Sequence, residues 1–229
     1  MAMEETAENL KQMEKFGISE GISELILTTN NANNGKDCRR PANAAPIGIT
    51  WKNNRMFLHL FKGSSTYENL MREDFFAVNM TDDAFLYAQS TFYDLEAEEF
   101  DTVLHIADTG SNQTPTSVSI PVLKNADRFI LFKCVNRTEA AESVIIDIVP
   151  IEFFILSEKE GFVFNRGFHS VIETCIHLTR YELTRDPIYI EYIRHHQRII
   201  QRCGRKRDKK GFAVVRKRLT ELEIADRIE

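Results

Sequence analysis

Three short stretches hold the residues whose types and spacing could do chemistry. Asn43, Ala44, Ala45, Pro46 and Ile47, followed by Gly48, place small side chains and a proline along one run of backbone. With little bulk over the main chain, a flat ring can lie against exposed N–H and C=O groups. A proline opening a strand explains the same residues with no ligand at all. Lys62, Gly63, Ser64, Ser65, Thr66 and Asn69 belong to a second stretch, K-G-S-S-T-Y-E-N. Ser65 and Glu68 have the S-x-x-E spacing of a capping box, a purely local helix start. Yet a helix start preceded by Lys and Gly, and lined by three hydroxyls, also gathers free N–H groups and a cation. That is the chemistry of a phosphate cradle. It is not a P-loop, because G-x-x-x-x-G-K-[ST] is absent. The third stretch, N-R-G-F-H-S at 165–170, puts Arg166 and His169 at a helix start. There they either reach an anion or ligand edge or simply decorate the helix.

Other chemistries find less support. Cys38, Cys134, Cys175 and Cys203 are far apart, with no C-x-x-C pair, and read as reduced thiols. A metal-dependent enzyme would need His195 and His196 together with His169 or His177. His169 and His177 are eight residues apart, beyond the reach of a helical i, i+4 pair, so no metal site is expected. No acid–base dyad is visible.

The elements that must position these residues fall into two groups. Strands are expected at 22–29, 45–51, 55–61, 75–80, 129–135 and 143–156, with a tight hairpin at Lys52-Asn53-Asn54 and turn-forming residues at 30–36. Pro150 cannot donate to a ladder, so the last run either breaks in two or carries a bulge. Short helices are expected at 65–72 and 83–90. Many short strands with few helices point to a barrel or sandwich. After residue 160 the period changes. Phe168, Val171, Ile172, Cys175, Ile176 and Thr179 follow helical spacing, and Ile188, Tyr192, His195 and Ile199 repeat it after Pro187. A third helix is expected from about Gly211, with Phe212, Val215, Leu219 and Leu222 on one face, after a basic loop at 205–210. The chain therefore divides into a β unit at 1–160 and a helical unit of about three helices at 161–229.

Composition agrees with a folded protein of one barrel-sized domain plus an appendage. Of 229 residues, 43% are hydrophobic and 28% charged. No apolar run approaches the roughly 18 residues of a membrane span. The polar start also lacks the apolar core of a signal peptide, so a cytoplasmic protein is expected. The net charge of −5 hides an asymmetry. Residues 160–229 carry 15 Lys and Arg against 10 Asp and Glu, whereas residues 1–159 carry 14 against 24. A nucleic-acid-binding role for the basic helices is the alternative from another class. Aromatics are not interleaved through the patch and no nucleic-acid motif occurs, so a solvated helical face fits it better.

The order N-A-A-P, next strand, K-G-S-S-T-x-x-N, then FFAVNM resembles the FMN-binding split β-barrels related to flavin reductases. NAAPIG, FKGSSTYENL and NRGFH resemble an uncharacterised, mainly archaeal branch of them, an FMN-binding domain of unknown function. The resemblance implies a mainly β split barrel followed by a helical region, with FMN as cofactor. It implies isoalloxazine contacts from Asn43, Ala44, Ala45, Pro46 and Ile47. Phosphate and ribityl contacts are implied from Lys62, Gly63, Ser64, Ser65, Thr66 and Asn69. It further implies a homodimer with FMN at the subunit interface, and the many apolar strand residues with few helices to cover them point the same way. The function implied is a redox flavoprotein, an FMN-dependent oxidoreductase or else a flavin carrier, with its electron donor and substrate unspecified. No segment resembles the nicotinamide-binding part of the reductases, which counts against flavin reductase activity.

Overall fold

In the computed structural model, residues 2–31, 41–107, 116–158 and 163–222 are described. Cys38 and the Asn-Gly step at 34–35 lie outside them. The strands are β1 (Gly21–Asn30), β2 (Ala42–Lys52), β3 (Arg55–Phe61), β4 (Phe75–Met80), β5 (Phe100–Ala107), β6 (Thr116–Leu123), β7 (Arg128–Glu139) and β8 (Ser143–Ile155). The helices are α1 (Ala2–Lys15), α2 (Ser65–Leu70), α3 (Ala84–Phe92), α4 (Arg166–Thr184), α5 (Ile188–Cys203) and α6 (Lys206–Glu221). Contacts divide the chain into two compact units. One holds residues 1–18, 24–49 and 54–163; the other holds 19–23, 50–53 and 164–229.

Six strands close a barrel in the order β1-β2-β3-β8-β7-β4, and β5-β6 form a separate antiparallel pair. This is the split-barrel architecture, followed by three helices. The β2–β3 turn works because Asn53 and Asn54 both adopt left-handed conformations, with φ 52° and 58°. Such a turn matches the right-handed twist of the flanking strands. Pro150 leaves β8 unbroken but shifts its register. Leu131 faces Glu152 while Phe132 faces Pro150, so Ile151 is the extra residue of a bulge. The barrel interior is apolar, with the Phe76 and Phe132 rings stacked 5.5 Å apart. Asn79, fully buried, spends its whole carboxamide on backbone and neighbour. It donates to the Ile26 carbonyl and Thr28 Oγ1, both at 3.0 Å, and accepts from the Leu123 N–H at 2.9 Å.

Several expectations are corrected. β2 begins at Ala42 and not at 45, so the N-A-A-P run at its entry is already strand and Pro46 lies inside it. β5 and β6 were not expected. Their Ser- and Thr-rich alternation, with one Pro, is weaker than that of the barrel strands. α1 was missed because its sequence is mostly polar, with Met13 as its fully buried anchor. α6 starts at Lys206, so the basic stretch is its first turns and not a loop. The Asp208 carboxylate caps it by accepting the Arg205 N–H at 2.8 Å. Within the helical unit, α4 and α5 bury other faces than expected. The core is Leu178, Tyr181, Ile190, Ile193, Ile200, Phe212, Val215 and Leu219. Phe168, Ile172, Ile188 and Tyr192 are 50%, 43%, 41% and 44% exposed.

Candidate functional site

The site is assembled from three elements of the barrel unit. β2 presents Asn43, Ala44 and Ala45, and the start of α2 presents Ser64, Ser65 and Thr66. The end of α3 and the segment after it add Gln89, Ser90, Thr91, Phe92, Tyr93, Asp94 and Glu96, closing a cavity of about 690 Å³. The Asn43 Nδ2 donates to Thr66 Oγ1 at 3.1 Å, which ties the two sequence stretches together. Two other cavities, of about 600 and 690 Å³, are of similar size, so size does not single this one out. The convergence of hydroxyls, a carboxamide and small side chains does.

Local chemistry explains the wall. Gly63 adopts φ +86°, a conformation costly for any side chain, and turns the chain from β3 into α2. Ser64, not Ser65, is the N-cap: its Oγ accepts the Tyr67 N–H at 3.2 Å and donates to the Phe61 carbonyl at 3.1 Å. Ser65 and Thr66 therefore sit in the first turn, with hydroxyls at the cavity. α3 is held at its start and near its middle. Asp83 caps its start, accepting from the Phe85 and Leu86 N–H groups. The Tyr87 hydroxyl donates to the Glu24 carbonyl at 2.9 Å, and burial pushes its pKa up to about 12.

The remaining residues of the two stretches lie elsewhere. The Lys62 ammonium is engaged 2.9 Å from Glu139, which raises its pKa, and Lys62 is not in the cavity wall. Neither are Gly63, Pro46 and Ile47. Asn69 is buried and structural in its contacts. It donates to Thr29 Oγ1 at 2.8 Å and Asn31 Oδ1 at 3.2 Å, and accepts from Arg72 at 2.6 Å. The third stretch also has local work in the helical unit. Asn165 caps α4, accepting the Phe168 N–H at 3.0 Å, and its Nδ2 donates to the Ile22 and Cys203 carbonyls. His169 stacks on Phe164, with ring centroids 4.3 Å apart. The α3 contribution was missed by the sequence reading. Its signal was the polar-aromatic run Q-S-T-F-Y-D, whose Phe92 and Tyr93 are 77% and 73% exposed.

A family model described as a protein of unknown function (DUF447), N-terminal domain, matches residues 23–156, and its C-terminal counterpart matches 165–217. The chain belongs to the DUF447 family. An FMN-bound DUF447 protein from Methanosarcina mazei is 38% identical, with TM-score 0.52 over 89% of this chain and 97% of that one. An uncharacterised protein of Methanocaldococcus jannaschii is 48% identical over 59 residues, 26% of this chain and 27% of that protein. A flavin reductase domain protein from Arthrobacter gives TM-score 0.44 at 12% identity, over 69% of this chain and 90% of the other. Among the described residues no helix is long and apolar enough to cross a membrane.

Proposed function

We propose that this protein binds FMN in the cavity formed by β2, the start of α2 and the end of α3. What carries the reading is the Asn43–Thr66 hydrogen bond, which brings the ring-facing and hydroxyl-rich stretches to one cavity in a family with an FMN-bound member. The cavity volume, about 690 Å³, falls in the range of small-molecule sites. Ala44 and Ala45 leave room for a flat ring, and Ser65 and Thr66 offer hydroxyls to a phosphate. Asp94 and Glu96 place carboxylates on the same wall, so an anion gains only where the hydroxyls gather. One compact hydroxyl cluster suits one terminal phosphate and favours FMN over FAD. The flavin, when bound, supplies the redox chemistry. The chain's own residues hold it, orient its ring edge and limit its exposure to water. We read the protein as an oxidoreductase of unspecified substrate, because the chemistry a bound flavin supplies is electron transfer.

The reading extends to a homodimer with FMN at the subunit interface. Phe92 and Tyr93 support it, because two large aromatics on the cavity wall stand mostly exposed.

Fluorescence titration with FMN, FAD and riboflavin tests the ligand, with FMN expected to bind tightest. A colourless protein that quenches none of the three would overturn the reading. Sedimentation velocity across dilution tests the dimer. FMN should stabilise it by about 2.7 kcal/mol at a hundredfold excess over Kd. A monomer that binds FMN at full stoichiometry would remove the interface site. A reduction assay with a panel of donors separates an oxidoreductase from a flavin carrier.

A further inference from the structure

We propose that Glu173, His177 and His196 form a binding site for one divalent cation of the zinc class, joining α4 to α5 in the helical unit. In the sequence, His169 and His177 are too far apart to pair on one helix face. The fold pairs His177 with Glu173 one turn before it, and brings His196 across from α5. One ligand atom from each residue lies within 4.8 Å of the other two. The His177 Nε2 stands 3.8 Å from Glu173 Oε2, and the two imidazole rings stack 5.5 Å apart at 28°.

Two further observations favour a cation over mere packing. The His177 Nδ1 is buried and meets no hydrogen-bond partner, so that nitrogen is committed to no other group. His196 is held by a neighbour outside the cluster: its Nδ1 lies 3.2 Å from the Oγ of the buried Ser170. Such an outer contact fixes the orientation of a ligating imidazole. Two histidines and one carboxylate are a borderline-soft donor set that suits zinc and leaves a position for water. Tetrahedral zinc at about 2.05 Å from each donor requires donor separations of about 3.4 Å. The donors must therefore close by at most about 1.4 Å. Glu173 can bring its carboxylate nearer to both rings by a rotamer change, because its side chain is 48% exposed.

The site is independent of the flavin cavity, and its test needs no flavin. The full chain, stripped with chelator, is titrated with Zn²⁺ by calorimetry and with Co²⁺ by visible absorption. One equivalent is expected per chain, with Co²⁺ giving d–d bands of a four- or five-coordinate site and Zn²⁺ raising the melting temperature. Glu173→Gln, which changes an exposed group, should weaken binding at least tenfold while leaving the metal-free melting temperature unchanged. His196→Asn should abolish the Co²⁺ bands, and His195→Asn and Cys175→Ser should keep them. No uptake at a hundredfold excess of metal over protein would overturn the proposal. So would affinity unchanged in both Glu173→Gln and His196→Asn, or binding lost only in Cys175→Ser.

Discussion

Individual side chains make the sharpest distinctions. Ser64, Ser65 and Thr66 all line the cavity, but the Ser64 hydroxyl is engaged in the α2 cap. The Ser65→Ala/Thr66→Ala pair should therefore weaken FMN binding about tenfold to a hundredfold, and riboflavin binding much less. Ser64→Ala should instead cost about 1 kcal/mol of stability, read by denaturant titration, and affect both ligands alike. Lys62 is held by Glu139, so a phosphate must compete for it. Glu139→Gln should release the ammonium and tighten FMN but not riboflavin, measured by fluorescence titration. Unchanged FMN affinity there would mean that Lys62 takes no part. A pH effect follows from Asp147. The hydrogen bond from the Arg55 guanidinium holds its carboxyl below the usual range, with Asn136 adding to the effect. A depressed folded pKa gives stability that is present above the unfolded value, about 3.9, and lost as pH falls through the folded one. Arg55→Ala should raise the Asp147 pKa in an NMR titration. Wild type and variant should differ in stability at neutral pH and converge in acid.

At the scale of elements, legibility followed how much of the signal was local. β3 and β4 could be placed to the residue, because Arg55–Phe61 and Phe75–Met80 are dense apolar runs between clear turn residues. The face of α4 could not. Phe168, Val171, Ile172, Cys175 and Ile176 have helical spacing, yet the helix also buries Ser170, Thr174 and Tyr181. Periodicity reports that a helix has an apolar stripe but not which neighbours will cover it. The candidate site divided in the same way. Two of its walls were visible as motifs, while the third comes from α3, whose residues reach the cavity through tertiary placement. Gly167 shows what a motif letter can mean. A Cβ built there would stand 2.3 Å from the Gly204 Cα, so two helix ends pass backbone to backbone. Gly167→Ala should destabilise the protein by about 1–3 kcal/mol or more, through overpacking that the main chain cannot relieve. Thermal melts of Gly167→Ala and of an exposed control such as Val214→Ala check this.

For the whole molecule, closure is the main economy, because six strands in a ring leave no unpaired edge. The β5-β6 pair lacks that protection, and its two sides fare differently. On β6, the outward carbonyls of Ser119 and Pro121 accept hydrogen bonds from Asn30 and Thr28, and the Leu123 N–H donates to Asn79. Pro121 fits there because its missing N–H falls on the outer side and not in the ladder. Among the described residues β5 pairs with β6 alone, and it carries Leu104 and Ile106 at 69% and 71% exposure. An uncapped, apolar strand edge is a template on which another extended chain can add. Concentrated or heated samples should therefore associate first through β5, ahead of global unfolding. Light scattering on Leu104→Lys and Ile106→Lys should show a later onset of aggregation, with the melting temperature little changed.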